Sequence, residues 1–249
     1  MASRVVGAAL LCFFVFSHAV AAVDDPAFHY LVLMWPGSYC KKSSSGCCLP
    51  KDGQPALDFF VKGLYPYSSD GKPLINCNGS PFRLDQLGDL TGELTSYWAN
   101  IKCPSGEGQQ LWESTWKTYG GCSGLSQHDY FKKPLQIRNN IDLLSVLNKN
   151  GIVSTDYMDY SIVDVLNAVS TGIGSNAAIE CSRNAWDESI VYEVFMCVDK
   201  DATSIVPCPV LPTSSCAPRV VLGAYTYDLL KNETAAINKN LIRMRLPHW

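Results

Sequence analysis

The chain has 249 residues, of which 47% are hydrophobic and 17% charged, with 11 cysteines, 4 histidines and a formal net charge of −3. This composition excludes a disordered chain, a collagen-like repeat and a strongly basic nucleic-acid binder, each of which needs a bias that is missing here. The length accommodates one large domain or two small ones, either able to bury a core of its own.

From the amino terminus, Arg4 precedes an apolar run over 5–20 that is short for a membrane span, and Ala19, Ala21 and Ala22 offer a small-residue cleavage site. Residues 1–22 are therefore expected to be a secretory signal peptide. The mature chain from Val23 then carries 19 basic against 23 acidic side chains, a net charge of −4, with three histidines and ten cysteines. No later run approaches a membrane span. On an oxidising route an even cysteine count is expected to form disulfides, and with so few histidines no metal site is expected. Gly172-Ile173-Gly174 with Ala177 loosely imitates a dinucleotide fingerprint but follows a helix and not a strand, so no cofactor is expected. Asn78 and Asn232 head glycosylation sequons, the first weakened by Pro81 directly after it.

The apolar run 30–35 predicts a buried strand ended by a Pro36-Gly37 turn, and 57–64 a second strand stopping at Tyr65-Pro66. Between them, 40–53 is rich in Ser, Lys, Cys and Gly and needs covalent ties, because it has little apolar surface to bury. Over 83–101, Leu84, Leu87, Leu90, Leu94, Tyr97 and Trp98 recur at helical spacing, and 111–119 reads as a further helix. The helical pattern of 126–150 has a break expected at Pro134 and a cap at Gly151. A short helix is expected over 161–170, then strands over 177–182 and 189–198, the latter alternating as Val191, Glu193, Phe195 and Cys197. Residues 225–246 are partly helical in pattern and locally basic. Without a regular βαβ rhythm, the expected class is α+β, a mostly antiparallel sheet packed with helices.

Four segments, YLVLMWPGSYC at 30–40, FFVKGLYP at 59–66, LWESTWKTYGGC at 111–122 and SQHDYF at 126–131, together resemble the ribonuclease T2 family, particularly its plant S-like branch. The likeness continues in order through Gly151-Ile152, Ile179-Glu180-Cys181 and Cys197-Val198-Asp199 to Cys216. It implies a single α+β domain over 23–223 and the pairings Cys40–Cys47, Cys48–Cys103, Cys77–Cys122, Cys181–Cys216 and Cys197–Cys208. Relatives typically end soon after the last cysteines, which makes 224–249 a carboxy-terminal extension, either a surface appendage or a vacuolar sorting or processing segment.

Active members of the family cleave RNA by attack of the ribose 2′-hydroxyl on its own phosphate, giving a cyclic phosphate. One group must take the 2′ proton, another must protonate the departing 5′ oxygen, and further groups must stabilise the crowded phosphorane. The family supplies them in two signatures, roughly F-T-I-H-G-L-W-P and H-E-W-x-K-H-G-T-C. Here Lys62 stands at the histidine position of the first. In the second, Ser114 and Tyr119 stand at the histidine positions, Thr115 at the glutamate and Thr118 at the lysine. Lysine and tyrosine as residue types titrate near pH 10, far from the pH 5–7 at which such transfers run, and serine and threonine do not titrate usefully. The resemblance is therefore to a catalytically degenerate member.

Tyr65, Trp112, Trp116 and Lys117 are candidates for residual binding of RNA or a nucleotide in the cleft; the alternative for Trp112 and Trp116, one helical turn apart, is packing. Met34 stands where relatives often carry Gln. His29, His128 and His248 fall outside the signatures and are read as structural or solvent-exposed. The sequence thus leads to a monomeric, extracellular or vacuolar ribonuclease homologue with a storage, defence or regulatory role. The competing readings are a weak endoribonuclease and a binding module for nucleotides or a glycan.

Overall fold

The computed structural model describes residues 25–42 and 46–231. The expected signal peptide, Asn232, His248 and residues 232–249 of the expected extension lie outside them. Strand β1 (Phe28–Met34) is buried at every position, including His29, and its apolar run from Tyr30 onward requires such burial. Leu31 and Leu33 enter the main core, while Phe28, Tyr30 and Val32 join Cys197 in a smaller cluster on the other face. Helix α1 (Pro36–Lys42) replaces the expected turn, with Pro36 at its first position, where a missing N–H costs little. After β2 (Cys47–Cys48), strand β3 (Phe60–Tyr67) runs through Tyr65-Pro66 instead of stopping there. It is the edge strand of the sheet, where proline is tolerated.

Over 83–101 the expected single helix is a 3₁₀ segment, Leu84–Leu90, followed by α2 (Thr91–Tyr97). Gly88 and Gly92 lower helix propensity there; Leu87, Leu90, Leu94 and Trp98 are buried as their spacing predicts, whereas Leu84 in the 3₁₀ segment is exposed and Tyr97 half-buried. Helix α3 (Gly108–Tyr119) carries the second signature. Helix α4 (Gln127–Ile141) passes through Pro134, whose lost amide donor is offset by burial of Phe131, Pro134 and Leu135. The break falls at Asp142, which has φ 45° and accepts from the Ser145 amide at 3.3 Å to start α5 (Leu143–Lys149). The remaining elements are β4 (Tyr160–Ser161), α6 (Ile162–Ile173), β5 (Ala177–Arg183), β6 (Ser189–Val198), β7 (Ile205–Val206), β8 (Arg219–Val220) and β9 (Leu230–Lys231).

The main sheet is antiparallel in the order β3-β1-β6-β5, with β7 paired to β6; β4 pairs with β8, and β2 with β9 in parallel. Helices α2, α3 and α4 pack on β3 around Trp98, Trp116, Tyr130 and Phe131. The fold is α+β, as the sequence predicts. The five disulfides join the same pairs that the resemblance implied. Two of them, Cys40–Cys47 and Cys48–Cys103, fasten the polar loop around β2, and closing such loops restricts the unfolded chain.

Residues 224–231, the beginning of the expected extension, are built into the domain. Tyr225 is buried with its ring 6.0 Å from that of Trp35 and 6.1 Å from that of Phe60, and the Trp35 indole donates to the Gly223 carbonyl at 2.7 Å. Among the described residues no helix is long and apolar enough to cross a membrane.

Candidate functional site

The pairing of β1 with β3 sets Val32 opposite Gly63 and Leu33 opposite Val61, so Lys62 is the extra residue of a β-bulge. A bulge leaves one residue unpaired and re-aims its side chain. The Lys62 ammonium pairs with the carboxylate of Glu193 on β6, whose side chain is 4% exposed against 38% for the lysine. It also stands 5.3 Å from the centre of the Tyr192 ring, which Lys42 approaches to 4.4 Å. Gly63 next to the bulge is required by a close approach: a Cβ there would lie 2.4 Å from the ring of Tyr65. That ring packs on Tyr119 at 4.6 Å, and its hydroxyl donates to the Lys62 carbonyl at 3.4 Å. Burial, reinforced by Tyr119 and Glu193, pushes the Tyr65 hydroxyl far up, so it stays protonated.

On α3, the hydroxyls of Ser114 and Thr115 donate to the Leu111 carbonyl at 3.2 and 2.8 Å, and that of Thr118 to the Ser114 carbonyl at 2.9 Å. All three are engaged with their own helix. Trp112 donates to the Trp98 carbonyl at 2.9 Å and Trp116 to the Ser80 carbonyl at 2.8 Å; both are buried. Trp116 stands edge-on to Tyr130 at 5.5 Å, so the geometry of the two indoles is that of packing. A hollow of about 460 Å³ lies between the 76–82 loop and α3, bordered by Asn78, Glu113, Trp116 and Lys117. A separate one of about 180 Å³ holds Met34, Tyr39, Lys62, Lys102 and Tyr192. The candidate residues thus divide: Tyr65 packs on Tyr119 and donates to the Lys62 carbonyl, the Lys62 side chain faces Glu193 and Tyr192, and Lys117 borders a different hollow.

The model of the ribonuclease T2 family matches residues 27–208. The chain belongs to the ribonuclease T2 family. It is 37% identical over 203 residues to extracellular ribonuclease LE of Solanum lycopersicum, covering 80% of this chain and 87% of that one. To the ribonuclease-like storage protein of Panax ginseng it is 31% identical over 193 residues, covering 76% and 78%. Among solved structures, RNase NT in complex with 5′-AMP superposes with a TM-score of 0.76 at 32% identity, covering 80% of this chain and 98% of that one.

Within this ribonuclease T2 domain, sequence reasoning noted Glu193 only as part of a strand alternation and missed it as the partner of Lys62. A carboxylate between buried positions of a central strand is itself a signal, because buried charges need partners. Lys62→Met leaves that carboxylate buried without its cation and is expected to cost about 1–3 kcal/mol in urea unfolding. Adding Glu193→Met is expected to recover most of the loss, since an apolar pair can replace a buried ion pair.

His29 is fully buried in β1, with Nδ1 3.2 Å from the Asp199 carbonyl and Nε2 3.2 Å from that of Ser123. Both carbonyls favour the protonated ring, but desolvation outweighs them and pushes the imidazole below its ordinary range. The unfolded chain takes up this proton near pH 6.5 while the folded one resists it, so stability is lost as pH falls below that point until the folded ring also titrates. Urea midpoints between pH 7.5 and 5 are expected to fall more steeply for the unchanged chain than for His29→Gln. His128, in the first turn of α4, is 3.0 Å from the Asp89 carboxylate, which it holds below the usual range.

Proposed function

We propose that this chain is a secretory-pathway ribonuclease T2 homologue whose cleavage chemistry has been lost and which serves as a storage, defence or regulatory protein. The observation that carries the reading is the commitment of Lys62. At the first histidine position of the signature stands a cation already paired with buried Glu193, beside a tyrosine that keeps its proton. Cleavage needs one group that accepts a proton and another that donates one near the working pH, and the Ser114, Thr115 and Thr118 hydroxyls supply neither.

The storage role draws support from the ginseng relative, which is named a ribonuclease-like storage protein. The secretory destination draws on the apolar amino-terminal run, the disulfides and the name of the extracellular tomato relative. As a second reading we keep nucleotide binding without cleavage, favoured by the hollow beside Trp116 and Lys117 and by the 5′-AMP complex of the similar RNase NT. A net charge of −4 after loss of the leader weighs against strong non-specific RNA binding. Digestion of total RNA by the purified chain at pH 5 and 7, with extracellular ribonuclease LE as the positive control, tests the proposal. Intact RNA is expected, and fragmentation at a rate near that of the control would overturn it.

A further inference from the structure

Four of the five tryptophans among the described residues are buried, whereas Trp186 is 80% exposed in the turn between β5 and β6. The turn that presents it is tightly bonded. Asn184 Oδ1 accepts from the amides of Trp186 and Glu188 at 3.0 Å each, and Asn184 Nδ2 donates to the Glu188 carboxylate at 2.7 Å. A backbone fixed in this way presents the indole without having to order the turn when a ligand binds.

Trp186 borders a cleft of about 350 Å³ that also includes Tyr157, which is 95% exposed. Between them lie Glu188, Asn184 and the ion pair of Lys41 with Asp156, whose Oδ1 also accepts from the Ala224 amide at 2.9 Å. None of these residues borders the hollows beside α3 or Lys62.

The chemistry selects the ligand. Two carboxylates face a single ammonium that is already paired, which disfavours a phosphate or any other anion. The polar groups between the rings disfavour a purely apolar guest, because its burial would strip them of water without replacing their hydrogen bonds. A neutral pyranose satisfies both demands: its C–H face lies on an aromatic ring while its hydroxyls exchange hydrogen bonds with Glu188, Asn184 and Asp156. Rings with equatorial substituents offer the flattest such face. The volume is in the range of small-ligand sites.

We propose that the cleft between Trp186 and Tyr157 binds a neutral oligosaccharide of two or three equatorially substituted pyranose units. The test is calorimetric titration of the full chain with cellotriose and, separately, N,N′,N″-triacetylchitotriose, both neutral. Saturable binding of at least one is expected, weakened at least about tenfold by Trp186→Ala and by Tyr157→Ala, both on exposed positions where folding is preserved. Lys117→Ala, on the other hollow, is expected to leave it unchanged. Absence of saturation with both sugars at about 10 mM would overturn the proposal. So would affinity unaffected by either aromatic substitution, or self-association that is abolished by Trp186→Ala in a chain that binds neither sugar.

Discussion

Replacing Lys62 and Tyr119 together by histidine is expected to raise RNA cleavage by about 10²–10⁴-fold over the unchanged chain, the usual contribution of positioned proton movers. Lys62→His alone is expected to gain less than about tenfold, because an acid without its base, or the reverse, leaves one proton transfer unassisted and such effects are not additive. The reason to expect rescue is that the frame around both positions is in place. Lys62 sits on a bulge that turns its side chain toward Glu193 and Tyr192, Gly63 leaves room for the Tyr65 ring, and the Cys77–Cys122 bridge ties the turn after α3 to the 76–82 loop. Release of 2′,3′-cyclic phosphate from RNA is the readout. A double variant that folds, by circular dichroism, yet cleaves no faster would mean that the frame has drifted along with the side chains.

The second large effect is on stability. Trp116→Ala is expected to cost about 3–5 kcal/mol in urea unfolding, the range for truncating a large buried aromatic residue. The indole is 4% exposed, donates to Ser80 and packs on Tyr130, and Gly120 closes over it so tightly that a Cβ there would lie 1.9 Å from the ring. Lys117→Ala, one residue along on the exposed face, is expected to change stability by less than about 0.5 kcal/mol. If Trp116 were instead a stacking platform for a base, its truncation would leave stability nearly unchanged and remove nucleotide affinity.

Much of the scaffold was legible from spacing. The apolar run 30–35 that forms most of β1, the helical recurrence of Leu87, Leu90, Leu94 and Trp98, and the β-prone segments that became β5 and β6 all report local burial, which sequence period encodes. The disulfide pairs came from the ordered resemblance to relatives and not from spacing, since ten cysteines admit many connectivities. Less accessible were features decided by tertiary context. Pro134 did not break α4, because its neighbours are held by the core, and Asp142 broke it instead by adopting a left-handed conformation. The bulge at Lys62 depends on strand register, and its ion pair joins residues 131 positions apart. Tyr225 and Leu230 read as the start of an appendage, yet their burial depends on Trp35, Phe60 and β2, which sequence alone does not bring near them.

The proposed function requires a ribonuclease T2 fold without working proton transfer, and the single-turnover rate of cyclic phosphate formation from a dinucleotide, with the full chain in excess, at pH 5 and pH 7, measures this. A rate at least about 10⁴-fold below that of extracellular ribonuclease LE is expected at both pH values. A rate within about a hundredfold of that enzyme, with a bell-shaped pH profile, would overturn the proposed function by revealing a working acid and base in this chain.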